Sequence, residues 1–243
     1  YNSNVVKKYI KEISLIFQIF FRMRRNDLIF LNSDTRRFLT LGLSIYIWNK
    51  LLKKKIVYRA FGADLDVLYG RNIFNAHLLN MILRKADLVF LETKGLITFY
   101  NTNIAKNSKH LPNSRPLKEV TKIKDENKVN FYYAGHLKKS KGIDIILEAC
   151  RSLQKENKNG WSMTFIGRTI DVEKPVDIPN VFFIEEVSNA ELIELSAGQD
   201  VILFPSFHKS EGYPGSIIEA LMCSNAVIVS NWRYLPELVD DNG

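Results

Sequence analysis

The chain has 243 residues, of which 46% are hydrophobic and 25% charged, with a formal net charge of +8. That balance supplies enough apolar side chain for a sizeable core and excludes a disordered or fibrous chain. The length suits one large α/β domain or two of about half that size. The charge is uneven: residues 1–115 hold 20 Lys and Arg against 7 Asp and Glu, and residues 116–243 hold 14 against 19, which predicts two units with different surfaces.

Along the chain, helix-like stretches alternate with short apolar runs. Helices are expected at 5–22, 36–53, 73–85, 143–157, 189–198 and 215–223. Strands are expected at 27–31, 55–59, 87–91, 129–133, 163–166, 181–184, 201–204 and 226–230. The strands are continuously apolar, as in parallel sheets covered on both faces, and the alternation indicates βαβ units. The two longest apolar stretches, 13–21 and 38–52, fall short of the roughly 20 residues that span a bilayer. Basic clusters flank them: Lys7 and Lys8, then Arg22, Arg24 and Arg25, then Lys53, Lys54 and Lys55. Such clusters read either as solvated helix ends or as a patch for an anionic membrane surface. No nucleic-acid module signature accompanies them, so no nucleic-acid partner is expected.

The interval 114–128, with its proline and its run of charges, reads as a linker between a first domain, 1–113, and a second, 129–243. Two parallel sheets so joined are expected to face a cleft between the carboxyl ends of their strands. The chain enters a helix without a preceding strand and stops soon after a short one. A first strand and a final helical segment are therefore expected outside it. Cys150 and Cys223, without Cys-x-x-Cys spacing, read as reduced core residues of a cytoplasmic protein.

The chemistry concentrates in 205–231, "PSFHKSEGYPGSIIEALMCSNAVIVSN". A buried strand is followed by a loop with Glu211 and Gly212, then Pro214 and Gly215 opening an apolar helix. Proline suits a first helical turn. The N–H groups of Gly215, Ser216 and Ile217 would then form an anion site ready for phosphate. Ile217, Ile218, Leu221 and Met222 are expected to make the buried stripe, with Glu219 on the opposite face beside Gly215 and Ser216. Taken singly, Glu219 is a solvated helix residue and Glu211 a loop charge.

Glu211 and Glu219 form a Glu-x7-Glu pair within "EGYPGSIIEALMCSNAVIVS". This resembles the donor-binding signature of the retaining glycosyltransferases of family 4, which have the GT-B fold of two Rossmann-like domains. "FYYAGHLKKSKGIDIILEA" (131–149) is similar to the family's first strand, Gly-rich turn and helix of the second domain. "MTFIGR", "VFFIEEVSNAELIELSAGQDVILFPS" and "YLPELVDDNG" follow in the family's order, and "ADLVFLETKGLITFY" and "HLPNS" match the first domain's approach to the hinge.

The resemblance implies a nucleotide-sugar donor held mainly by the second domain: Glu219 on the ribose hydroxyls, Glu211 positioning the transferred sugar, and backbone N–H groups after Glu211, along Gly212, Tyr213, Gly215 and Ser216, meeting sugar and diphosphate. Gly135 and Arg168 belong to the same donor side. Lys141 matches one of a basic pair for the diphosphate. The other is usually Arg after Gly135, and here it is His136. A neutral imidazole donates one hydrogen bond without Arg's fixed bidentate charge. Three readings stay open: Lys138 or Lys139 compensates, diphosphate binding is weaker, or another part of the donor is recognised. A second departure is Phe61-Gly62 where the family often has His-Gly.

The expected activity is transfer of a sugar, with retention, to a glycan or lipid-linked acceptor in bacterial-type surface polysaccharide synthesis, with Glu211 and Lys141 in the catalytic set. No cofactor is expected and no metal, although Asp64 and Asp66 superficially match Asp-x-Asp. The setting expected is cytoplasmic, peripheral at the inner face of the membrane. The alternatives are a non-catalytic nucleotide- or glycan-binding module and a peripheral membrane scaffold.

Overall fold

The computed structural model describes residues 14–122, 127–175 and 177–239. It divides into two compact α/β units between Pro112 and Asn113. Lys7, Lys8, the start of the expected first helix, the closing "DDNG" and residues 123–126 of the expected linker lie outside the described residues.

In the first unit, helix α1 (14–24) leads into β1 (Leu28–Asp34). The expected 36–53 helix is broken into a turn at Thr35–Arg37, a π-helical turn at Phe38–Gly42 and α2 (Leu43–Leu52). The break falls at Gly42, a weak helix former, and Lys53 ends α2 in a left-handed conformation. There follow β2 (Lys55–Phe61), α3 (Leu65–Gly70), α4 (Ile73–Leu83), β3 (Leu88–Leu91), α5 (Lys94–Asn103) and β4 (Ser108–His110). All four strands are parallel in the order β1-β2-β3-β4.

Side-chain caps start α4 and α5: Asn72 accepts from the Asn75 N–H, and Thr93 from the Leu96 N–H. These caps satisfy donors that the first turn leaves open. Tyr58, Leu79, Leu83, Val89, Leu91, Leu96 and Tyr100 fill the core. The expectation of strands covered on both faces holds for β2 and β3 and fails at the edge, where Leu28 and Phe30 of β1 are exposed. Helices α3 and α5 and strand β4 were not expected. β4 reads Ser-Lys-His and carries no apolar run.

The second unit contains β5 (Val129–Ala134), α6 (Ile143–Lys155), β6 (Trp161–Ile166), β7 (Val181–Ile184), α7 (Asn189–Ala197), β8 (Val201–Phe204), α8 (Gly215–Met222), β9 (Ala226–Val229) and a 3-10 turn at Leu235–Leu238. Its five parallel strands run β7-β6-β5-β8-β9. The chain order reverses between β5 and β8, the topological switch point where open α/β sheets place ligands at the carboxyl ends of their strands.

Every residue of β6 is buried, and α6 buries Ile143, Ile146, Leu147 and Cys150 at helical spacing. Tyr133 stacks on Phe204 and Phe165 on Phe183. Ser188 and Glu191 form a reciprocal capping box at the start of α7. Residues of the interval expected as linker lie along this unit. The Lys118 N–H donates to Met222 Sδ, and the Lys122 ammonium donates to the Gln199 carbonyl and to Asn225 Oδ1. Cys150 and Cys223 are buried free thiols, both pushed up by burial, Cys150 to about 11.

Candidate active site

Three turns at the carboxyl edge of the second sheet build the site. After β5 and β6 the chain turns at Gly135 and Gly167, and the two turns are laced together. The Gly135 N–H donates to the Ile166 carbonyl and the Leu137 N–H to the Arg168 carbonyl, both at 2.9 Å. Gly167 is required by this approach: at φ +139° a Cβ there would lie 2.2 Å from the Gly135 oxygen. The turns open onto a cavity of about 340 Å³ lined by Gly135, His136, Gly167, Arg168, Glu186 and Leu192, among others. His136 and Arg168, both expected as site residues, share it, and both are exposed. The His136 carbonyl is held by the Tyr133 hydroxyl at 3.1 Å.

The third turn follows β8. Lys139–Lys141 form a 3-10 turn ending at Gly142, whose added Cβ would lie 2.1 Å from the Pro205 oxygen. The Phe207 N–H donates to the Ser140 carbonyl. This contact brings the loop after β8 against the start of α6, and with it Glu211 to Lys141, 70 positions away in the chain. The Lys141 ammonium lies 2.6 and 2.5 Å from the two carboxylate oxygens of Glu211 and 5.5 Å from the centre of the Phe204 ring. Glu211 is 7% exposed and takes a further bond from the Ser206 hydroxyl at 2.6 Å. A buried carboxylate with an ammonium and a hydroxyl on it has its charge compensated. His208 belongs to the wall of this loop: its N–H donates to Ser206 Oγ and its carbonyl accepts from Trp232 Nε1.

Gly212 is buried beside Glu211, and Tyr213, half-buried, has its phenol pushed up first by burial and then by Glu237. Helix α8 begins at Gly215 and Ser216. Two expectations for it need correction. The Ile217 N–H turns back to the Pro214 carbonyl at 3.2 Å, so the helix end offers the N–H groups of Gly215 and Ser216. The buried face is Ile217, Glu219 and Ala220, while Leu221 is 50% exposed. The apolar pattern pointed to Ile217 and Leu221 as one face, but Glu219, 3% exposed, turns inward because it has partners there. Its Oε1 accepts from Arg115 Nε at 2.7 Å and from Asn189 Nδ2 at 2.6 Å.

Sequence reasoning missed Arg115, Asn189 and Ser206. Arg115 and Asn189 lie outside the Glu-x7-Glu motif, 104 and 30 residues from Glu219, and no local pattern marks them. Ser206 stands in the motif's own "PSF", where a small polar residue after a buried strand was the available signal.

In the first unit, Glu92 ends β3 buried, 2% exposed. It accepts the Gly62 N–H at 3.2 Å, its backbone carbonyl meets His110 Nε2 at 2.9 Å, and burial raises its pKa. Phe61, beside Gly62, is 49% exposed. Asp64 and Asp66 lie at the start of α3. Among the described residues no group of three or more His, Cys, Asp or Glu side chains is gathered as metal ligands.

The second unit thus sets a basic group, two buried carboxylates and a helix N-terminus at the switch point of a Rossmann-like sheet. The chain belongs to the glycosyl transferases group 1 family, whose sequence model matches residues 114–243. It is 24% identical over 250 residues to an uncharacterized glycosyltransferase of Methanocaldococcus jannaschii, an alignment covering 93% of this chain and 63% of the relative. Among solved structures it is similar to the lipopolysaccharide outer core galactosyltransferase WaaB, at 14% identity and a TM-score of 0.65, covering 97% of this chain and 65% of that one. It is also similar to an α,α-trehalose-phosphate synthase (UDP-forming) from Burkholderia xenovorans, at 13% identity and a TM-score of 0.66, covering 98% and 66%. The fold is that of the GT-B glycosyltransferases, and the chain spans somewhat under two thirds of the archaeal relative's length.

Proposed function

We propose that this chain transfers a sugar, with retention, from a nucleotide-sugar donor to a glycan or lipid-linked acceptor, and that its second unit, from 129 onward, holds the donor. The observation that carries the reading is the Lys141–Glu211 pair, buried at the switch point beside the N-terminus of α8. Cleaving a sugar–diphosphate bond leaves negative charge on the departing nucleotide and positive character on the sugar. A fixed ammonium and preorganised N–H donors stabilise that charge as it develops. In this reading Lys141 and the N–H groups of Gly215 and Ser216 face the diphosphate, Glu211 and the backbone at Gly212 and Tyr213 position the sugar, and Glu219 takes the ribose. The cavity lined by Arg168, Glu186 and Leu192 takes the base, and His136 at its rim belongs to the diphosphate side. An acceptor hydroxyl held on the leaving-group face gives retention, its proton passing to a departing phosphate oxygen or to a side chain.

The UDP-forming relative supports a nucleotide-sugar donor, and the lipopolysaccharide transferase supports a role in surface polysaccharide synthesis. No metal or cofactor is assigned a part. We place the protein at the inner face of a membrane, reached by the basic first unit; among the described residues no helix is long and apolar enough to cross one. A thermal-shift screen of UDP-, GDP- and ADP-sugars, followed by product analysis with the responding donor, tests the reading. Stabilisation by one donor class and release of its nucleoside diphosphate are expected. No response to any of the three overturns it.

A further inference from the structure

Arg115 makes contacts that a plain linker residue does not need. Its Nε lies 2.7 Å from Glu219 Oε1, and its Nη1 lies 3.2 Å from both Asn113 Oδ1 and the Ser114 carbonyl. Asn113 is itself anchored, donating from Nδ2 to the Tyr213 carbonyl at 3.0 Å. The third nitrogen, Nη2, lies over Gly215: a Cβ built there would be 1.6 Å from it. The absence of a side chain at 215 is therefore what lets the guanidinium lie across the first turn of α8. A cation in that place is electrostatically mismatched, because the N-terminus of a helix attracts anions. Glu219 holds it there.

Resting on the donor reading above, we infer that Arg115 is a second cation of the donor site, exchanging Glu219 for the donor's diphosphate. Ribose hydroxyls and the guanidinium compete for the same buried carboxylate oxygen. When ribose takes Glu219, the freed guanidinium, still tethered through Asn113, meets a diphosphate at Gly215 and Ser216. Its planar fork suits phosphate oxygens bidentately. The exchange makes binding sensitive to the whole nucleotide. A bare nucleoside displaces the guanidinium from Glu219 and gives it nothing in return, whereas a nucleoside diphosphate supplies the replacement partner. It also provides the second positive charge that the site lacks with His136 after Gly135.

The test is calorimetry on the full chain with UDP, GDP and ADP and with uridine, guanosine and adenosine, for the wild type, Arg115→Ala and Arg115→Lys. For the base that binds, Arg115→Ala should lower the ratio of nucleoside Kd to nucleoside diphosphate Kd at least tenfold. The nucleoside itself should bind as well as before or better. Arg115→Lys, which keeps the charge and loses the fork, should fall between the two. A ratio unchanged in Arg115→Ala, with both ligands weakened alike, makes Arg115 a brace and overturns the inference. Both ligands tightened alike makes it a simple block and also overturns it. Wild-type protein that binds none of the three diphosphates overturns the donor reading itself, a result separate from either.

Discussion

The ammonium of Lys141 sits against both carboxylate oxygens of Glu211, at 2.5 and 2.6 Å, and both side chains are largely withdrawn from solvent. Removing one member leaves the other charge buried. Lys141→Ala should therefore cost about 3 kcal/mol of stability, the low end for breaking a buried pair, because Ser206 still donates to Glu211. It should also weaken a nucleoside diphosphate by tenfold or more while leaving the matching nucleoside nearly unchanged. Urea denaturation and calorimetry read the two effects separately, and equal losses for both ligands would place Lys141 away from the phosphates.

Glu219 needs a gentler substitution than alanine, since its carboxylate is buried and bonded to Arg115 and Asn189. Glu219→Gln keeps the shape and one acceptor oxygen but loses the charge. Donor binding should weaken by about 1.5–3 kcal/mol, the range for a hydrogen bond to a charged group. An unchanged donor Kd in a folded Glu219→Gln protein would remove Glu219 from the ribose site.

His136 is exposed at the rim of the cavity, and its backbone carbonyl is tied by the Tyr133 hydroxyl. His136→Arg can therefore place a guanidinium there without disturbing the turn. Nucleoside diphosphate binding should tighten several-fold, with the nucleoside unaffected. If the diphosphate Kd does not move, the position contributes no charge to the leaving group.

Much of this arrangement was legible because its signals are local. Apolar runs marked the eight longer strands, and the spacing of Glu211 and Glu219 within a Pro-Gly helix start marked the loop proposed to hold the donor. What stayed hidden was non-local or polar. β4 is Ser-Lys-His, a strand defined only by pairing with β3. Arg115 reads as linker until folding brings it to a residue 104 positions away. The inward turn of Glu219 contradicts its helix's apolar periodicity, because two polar partners outweigh the pattern. Glu92 lies within the run 86–100 but no local pattern gave it a role, and its interest comes from burial alone.

Burial raises the pKa of Glu92, so its carboxyl holds a proton more tightly in the fold than in the unfolded chain. The sign follows. This contribution to stability is fully present below the ordinary value of 4.5 and is lost as pH rises through the folded-state value. Glu92→Gln carries no such proton, and its amide oxygen can still accept the Gly62 N–H. Its melting temperature relative to wild type should therefore rise as pH is raised from about 4 through the folded-state value. A difference that stays constant across that range would mean that Glu92 titrates alike in both states.

The last prediction concerns the membrane surface. Helix α1 exposes Phe17 and Phe21, and Arg22, Arg24 and Arg25 follow them, all exposed, with Met23 turned into the core. The Lys53–Lys55 cluster is compromised by comparison. Lys54 pairs with Asp27 and Lys55 with Asp87, whose carboxyl is held below the usual range chiefly by the Ile56 N–H. A basic side chain near an anionic surface is worth about 1 kcal/mol. Replacing all three arginines with Gln should therefore weaken binding to phosphatidylserine vesicles by about 3 kcal/mol, roughly a hundredfold. Replacing the three lysines should cost only about a third of that, since two already have carboxylate partners. Binding should be strong at low salt and fade as the Debye length shrinks to about 10 Å near 0.1 M, while nucleotide affinity in the second unit stays constant. Vesicle co-sedimentation measures this. A chain that ignores anionic vesicles at low salt, or loses equally from either cluster, does not dock through α1.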